Sequence, residues 1–121
     1  MPLITVLGLP HDTSQIDIVG LCVNIKKRVS QVDVLDVSED DVEVFFPMDL
    51  LPRNHRRGFV VSVRFMKKEN RSQAVQDDLA QTIAQALGPF AKGHLPNCRF
   101  IEVLTDPFDK SKQGFCLVEF S

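Results

Sequence analysis

The run Leu3-Ile4-Thr5-Val6-Leu7 carries a single polar residue in five, which predicts a strand buried on both sides. Gly8, Pro10, Asp12 and Thr13 punctuate it, and Ser14 with Asp17 three residues on forms a capping pair for a helix. Within that helix Ile18, Cys22, Ile25, Val29 and Val32 recur at steps of four and three, so they line one face. Lys26, Lys27 and Arg28 crowd its last turns, where cations suit the helix dipole. An acidic connection, Asp33 to Asp41, leads to a second strand over Val42 to Phe46, rich in β-branched and aromatic residues and closed by Pro47.

The segment Met48 to Gly58, with Pro52 and the cluster Arg53-Asn54-His55-Arg56-Arg57, reads as a polar loop that divides the chain. Beyond it Phe59, Val61, Val63 and Phe65 alternate with Val60, Ser62, Arg64 and Met66, a strand with one strongly apolar side. A second helix, capped by Asn70 or Ser72, carries the stripe Val75, Leu79, Ile83 and Leu87 and is expected to stop at Gly88-Pro89. Cys98 to Leu104 gives a fourth strand, and Phe115 to Phe120, after Gly114, a short terminal one.

Ser14-Gln15 recurs as Ser72-Gln73, and an offset of 58 residues also places Thr5 opposite Val63. The chain therefore reads as one α/β (α+β) domain over residues 1–121, with a β-α-β unit in 1–47 repeated in 58–104 and a last strand over 115–120. Two such units with right-handed crossovers form a four-stranded sheet with both helices on one face. The other face is then bare and apolar enough to call for a second copy of the chain, so an obligate homo-oligomer is expected.

Composition narrows the function without naming it. The apolar share of 44% is ordinary for a globular domain, and a formal charge of −2 gives no electrostatic reason to expect nucleic acid. No window approaches the ~18 consecutive apolar residues of a membrane span, and the first residues lack a secretory pattern, so a cytoplasmic protein without a membrane partner is expected. Cys22, Cys98 and Cys116 fit neither a disulfide framework nor a zinc site. His11, His55 and His94 are scattered, and the acids of 33–41 lack the glycine and closing glutamate of an EF-hand loop, so no metal is expected.

The chemistry that remains centres on Pro2. Methionine before a small residue is normally trimmed, and its removal would leave a secondary amine at the head of an apolar strand. Desolvation and nearby cations would lower the pKa of such an amine toward the range where general bases work. The Arg53–Arg57 cluster offers an anion-binding rim, although a solvated loop has the same composition. Lys67-Lys68-Glu69-Asn70-Arg71 has no interleaved aromatics and reads as the turn into a helix.

The Met1-Pro2 start running into a strand, Asn70-Arg71-Ser72 opening the second helix, and Gly114-Phe115 with Phe120 near the end resemble the tautomerase superfamily. The likeness is to its longer members, similar to macrophage migration inhibitory factor, and it spans the whole chain. It implies a trimer whose sheets line a central barrel, with a pocket at each subunit boundary. It also implies a cofactor-independent tautomerase in which Pro2 shuttles a proton between carbon and oxygen of a small 2-oxo acid and its enol. This chain has Val32-Asp33-Val34 where the cytokine-like members carry a lysine, and it has no tyrosine. The cation for a substrate carboxylate is accordingly expected from Arg64, on the polar side of the third strand. The same order of elements also describes ferredoxin-like domains that bind small ligands or assemble with partner chains, a reading that needs no terminal amine.

Overall fold

A computed structural model describes residues 2–47, 58–109, 111, 112, 114 and 116–120. Four strands and two helices make up its regular core: β1 (Leu3–Leu7), α1 (Gln15–Ser30), β2 (Glu43–Phe45), β3 (Gly58–Met66), α2 (Gln73–His94) and β4 (Phe100–Phe108). Two short 3-10 turns, Asp33–Leu35 and Glu39–Asp41, occupy the acidic connection. The sheet order is β2-β1-β3-β4; β1 is parallel to β2, β3 is parallel to β4, and β1 and β3 meet antiparallel at the centre.

Each helix starts where its serine places it. The Ser14 hydroxyl accepts the Asp17 N–H at 3.2 Å and the Ser72 hydroxyl accepts the Val75 N–H at 3.4 Å, satisfying donors that a first helical turn leaves open. The turns before them match as well: Thr13 N–H donates to Pro10 C=O, and Arg71 N–H to Lys68 C=O, each at 3.0 Å. The 58-residue offset thus holds through both turns and both caps.

It fails in the strands. Ile4 pairs with Val63 and Thr5 with Ser62, so Thr5 and Val63, matched by that offset, lie on opposite faces of the sheet. A shift of one residue reverses every side chain of a strand, so the strands of the two units correspond only at an odd offset.

Burial shows which face the helices cover. Ile4 and Val6 of β1 and Phe59, Val61, Val63 and Phe65 of β3 are buried in one cluster with Ile25 and Val29 of α1 and Leu79, Ile83 and Leu87 of α2. β1 is therefore covered on one side, contrary to the two-sided burial its composition suggests: Leu3 stays 36% exposed, and Thr5 and Leu7 are only partly covered. In α1, Leu21 is buried while Cys22 is only half-buried, so the buried face lies slightly to one side of the expected stripe.

Three segments depart from expectation. α2 passes through Gly88-Pro89 and runs to His94. Pro89 is exposed, so the bond its ring nitrogen cannot make is lost on the water side, while Leu87 and Ala91 are buried around it and hold the helix to the core. The fourth strand covers Phe100–Phe108 rather than Cys98 to Leu104, because its register follows the full length of β3 from Gly58↔Phe100 to Met66↔Phe108. The strand expected at the C-terminal end is not formed by residues 116–120. These lie in no ladder, and Leu117, Val118 and Phe120 are exposed, because alternating residues become a strand only when an edge pairs with their backbone. Phe115 and the loop over 48–57 fall outside the described residues.

Two glycines permit close approach of backbones where β1 ends. Gly8 has φ +115°, and a Cβ there would stand 2.5 Å from the Gly58 carbonyl oxygen. Gly20, by contrast, is exposed in α1 with open space around it. Gly8→Ala is expected to destabilise the fold by about 1–3 kcal/mol, from the left-handed backbone and the clash. Gly20→Ala should stabilise by about 0.5–1 kcal/mol. Urea unfolding of the two variants measures both, and equal midpoints would contradict this account.

Candidate functional site

β1 opens at Pro2, which is buried and whose carbonyl accepts the Glu43 N–H at 3.0 Å. Pairing of Leu3 with Arg64 sets the register, so one step further Pro2 falls opposite Phe65. Alternation puts Pro2 on the face of Ile4 and Val6, the side the helices cover. This end of the sheet, where β1 and β2 begin and β3 finishes, is the candidate site.

Arg64 is brought to the same end but to the other face. Its Nε and Nη2 donate to one oxygen of Asp106 at 3.2 and 3.0 Å, directly across the β3–β4 ladder. Its guanidinium also stands 6.0 Å from the Phe108 ring centroid. Both partners of the ion pair are about half exposed, at 54% and 55% of their side-chain surface. The cation expected to receive a carboxylate therefore already holds one from its own chain, in a solvated pair that water and mobile ions weaken.

A second arginine, which the sequence reading placed in a turn, lies on the buried side. Arg71 is 6% exposed, and its guanidinium packs 5.6 Å from the ring centroid of Phe65. Nη1 donates to Met66 C=O at 2.6 Å and Nη2 to Leu35 C=O at 3.4 Å, so one side chain ties the end of β3 to the 3-10 turn after α1. Asn70 reinforces the tie by donating to Val34 C=O at 3.1 Å. Arg71 Nε is buried with no hydrogen-bond partner, and among the described residues no carboxylate is in ion-pair contact with the group. Burial pushes its pKa below the ordinary arginine value.

The sequence carried one hint of this role. Arg71 occupies the position matched in the first unit by Thr13, whose hydroxyl merely folds back onto Pro10 C=O at 2.6 Å. A long cation where the sister turn has a short hydroxyl is an asymmetry that a comparison of the repeats exposes. Asp106 left no comparable signal, because its opposition to Arg64 exists only in the β3–β4 register.

Among the described residues no three or more His, Cys, Asp or Glu side chains are grouped to hold an ion. Asp41 instead caps its own turn, and the backbone N–H of Ser38 holds its carboxyl below the usual carboxylate range. His94 stacks on Phe90, with ring centroids 4.5 Å apart, and its Nε2 lies 4.0 Å from Asp17 at the far end of the sheet. That end holds a cavity of about 470 Å³ lined by Gly8, Ser14, Asp17, His94 and Cys98 among others; Pro2, Arg64 and Arg71 are not part of it. The Arg53–Arg57 rim, His55 and Met1 lie outside the described residues. Cys22, Cys98 and Cys116 are free thiols. No described helix is long and apolar enough to cross a membrane.

No protein-family model matches the chain, and no curated protein matches its sequence. Solved structures do match its shape. A fused 4-OT asymmetric trimer is similar with a TM-score of 0.69 at 12% identity, over 93% of this chain and 91% of that one. A macrophage migration inhibitory factor-like protein from Entamoeba histolytica gives 0.65 at 11% identity, covering 95% of each chain. A malonate semialdehyde decarboxylase inhibited by 3-bromopropiolate gives 0.63 at 13% identity, over 97% of this chain and 91% of the other. The four-stranded sheet with two helices is thus the fold shared with these 4-OT and macrophage migration inhibitory factor-like structures.

The two arginines are expected to differ sharply as structural elements. Arg64→Ala should change stability by less than about 1 kcal/mol, as for an exposed pair. Arg71→Ala, which strands the Leu35 and Met66 carbonyls away from water, should cost about 2–4 kcal/mol. Chemical denaturation of both variants tests the contrast, and a larger loss for Arg64→Ala would reverse the assignment.

Proposed function

We propose that this chain is a cofactor-independent tautomerase that interconverts the enol and keto forms of a small 2-oxo acid, with the Pro2 nitrogen as general base. The observation that carries the reading is the position of Pro2: a buried residue at the head of β1, at the end of the sheet that also holds Arg64 and Arg71, in a chain with the tautomerase-superfamily fold. After removal of Met1 its secondary amine sits among apolar groups, where the neutral, proton-accepting form is favoured. The amine takes the proton from carbon as electrons move toward the carbonyl oxygen and delivers it to that oxygen to give the enol; the same proton carried from oxygen to carbon gives the keto form. No redox change or co-reactant is needed.

Arg64 is the proposed contact for the substrate carboxylate, displacing Asp106 from the guanidinium as the ligand binds. Exchange of one carboxylate for another at a half-exposed arginine leaves the number of ion pairs unchanged, so its energetic cost is small. The bare sheet face supports a trimeric assembly. Across its middle run Phe45, Thr5, Ser62 and Leu104, one residue from each strand, with Phe45 and Leu104 each at least half exposed. The 4-OT proteins of similar fold are trimers.

Purified protein whose mass shows loss of Met1 should accelerate ketonisation of a 2-oxo acid enol, and Pro2→Ala should lower that rate by about 10²-fold or more. An undiminished rate removes Pro2 from the mechanism. No rate in either protein, across a panel of 2-oxo acids, favours a ligand-binding or assembly role instead. Light scattering should give three times the 13.6 kDa chain mass.

A further inference from the structure

We propose that the cavity at the far end of the sheet, away from Pro2, is a second binding site, which takes a small organic cation with a flat apolar body, such as an aryl amidinium. The proposal depends neither on the tautomerase reading nor on a free Pro2 amine.

The repeat shows that two carboxylates at this end answer no structural need. At the 58-residue offset Asp12 corresponds to Asn70 and Asp17 to Val75. Both units still build the same turn and the same cap, because these rest on backbone groups and on the hydroxyls of Ser14 and Ser72. Asp17, in the first turn of α1, gains modestly from the helix dipole, whereas Asp12 lies before the cap. Both line the cavity, and among the described residues neither carboxylate accepts a hydrogen bond. The basic group on the described wall, His94, holds its Nε2 4.0 Å from Asp17, beyond hydrogen-bond distance.

Charge decides which ion the cavity takes. Its described wall contains no lysine or arginine. The start of α1 contributes the equivalent of about half a positive charge, against a full negative charge from each of the two carboxylates. The sum stays negative even with His94 protonated, so an anion is disfavoured and a cation is drawn in. Leu95, Pro96 and Cys98 are shared with a neighbouring cavity of about 430 Å³, whose described wall holds Lys92 and Arg99 and no acid. The two signs of charge are thus kept on separate walls.

Shape decides the rest of the ligand. Phe90 and His94 stack with their ring planes 13° apart, which sets a flat surface in the same wall as the carboxylates. A planar, delocalised cation meets such a wall with both its charge and its face. A metal ion fits less well, since among the described residues no three ligating side chains are grouped. The volume, about 470 Å³, falls in the roughly 300–1,000 Å³ range of sites for small organic ligands.

Benzamidine is the probe. Titrated into the full isotope-labelled chain, it is expected to give saturable NMR shifts at the backbone amides of Ser14, Asp17, His94 and Asn97, with a dissociation constant of about 1 mM or tighter. Benzoate and neutral benzamide, similar in shape, should bind about tenfold more weakly or worse. Asp12→Asn combined with Asp17→Asn should weaken benzamidine about tenfold, and Phe90→Leu about threefold.

Equal binding of benzamide or benzoate would reduce the cavity to an apolar cleft and overturn the proposal. So would benzamidine shifts that fail to saturate, or that centre on the acidic residues 33–41. If the double variant loses its native spectrum, Asp12→Asn alone carries the comparison, and unchanged affinity in whichever variant folds defeats the proposal. Enol turnover enters none of these readouts, so failure of the tautomerase reading leaves this one standing.

Discussion

Both helices lie on one side of a four-stranded sheet, and most of what is distinctive about this chain follows from that constraint. The covered side takes Ile4, Val6, Phe59, Val61, Val63 and Phe65 out of water together with the inner faces of α1 and α2. At roughly 25 cal/mol per Å² this burial is the dominant favourable contribution to folding. With its two helices spent there, the fold leaves Leu3, Phe45, Phe100 and Leu104 partly exposed on the opposite side. The proposed assembly would cover this face, and Leu117, Val118 and Phe120, exposed and in no ladder, are further apolar surface of the same kind.

The same asymmetry separates the two arginines at the candidate site. Arg64 and Arg71 lie at one end of β3, seven residues apart, yet one stands in solvent with a carboxylate and the other is enclosed against Phe65. Their electrostatic consequences are unequal. A half-exposed pair can exchange partners with little change in energy, which suits a group that must meet and release a ligand. An enclosed guanidinium bonded to two backbone carbonyls instead holds segments of the fold together, which suits a structural tie.

The two β-α-β units illustrate how a repeat can be conservative in one element and not in another. Turns and caps repeat at 58 residues because a hydroxyl must meet the N–H three residues on, whatever the surroundings. The strands cannot keep that spacing, because Thr5 and Val63 lie on opposite faces. The connection between strand and cap absorbs the odd residue. One short turn thus ends in Thr13, folded onto its own backbone, and its counterpart in Arg71, which reaches across to two other segments.

From the sequence alone came the elements with strong local causes: the alternation in Phe59 to Phe65, the helical stripe from Val75 to Leu87, the serine caps, and Pro2 at the head of a strand. Patterns of this kind depend on neighbours a few residues away, so the chain carries them in linear form. Tertiary structure decided the rest. Whether α2 stops at Pro89 depended on which side of the helix met water, and where β4 lay depended on the length of β3. The partner of Arg64 was fixed by a register between strands 42 residues apart in the chain. The enclosure of Arg71 required two distant carbonyls and an aromatic ring to converge, and no spacing along the sequence encodes such a convergence.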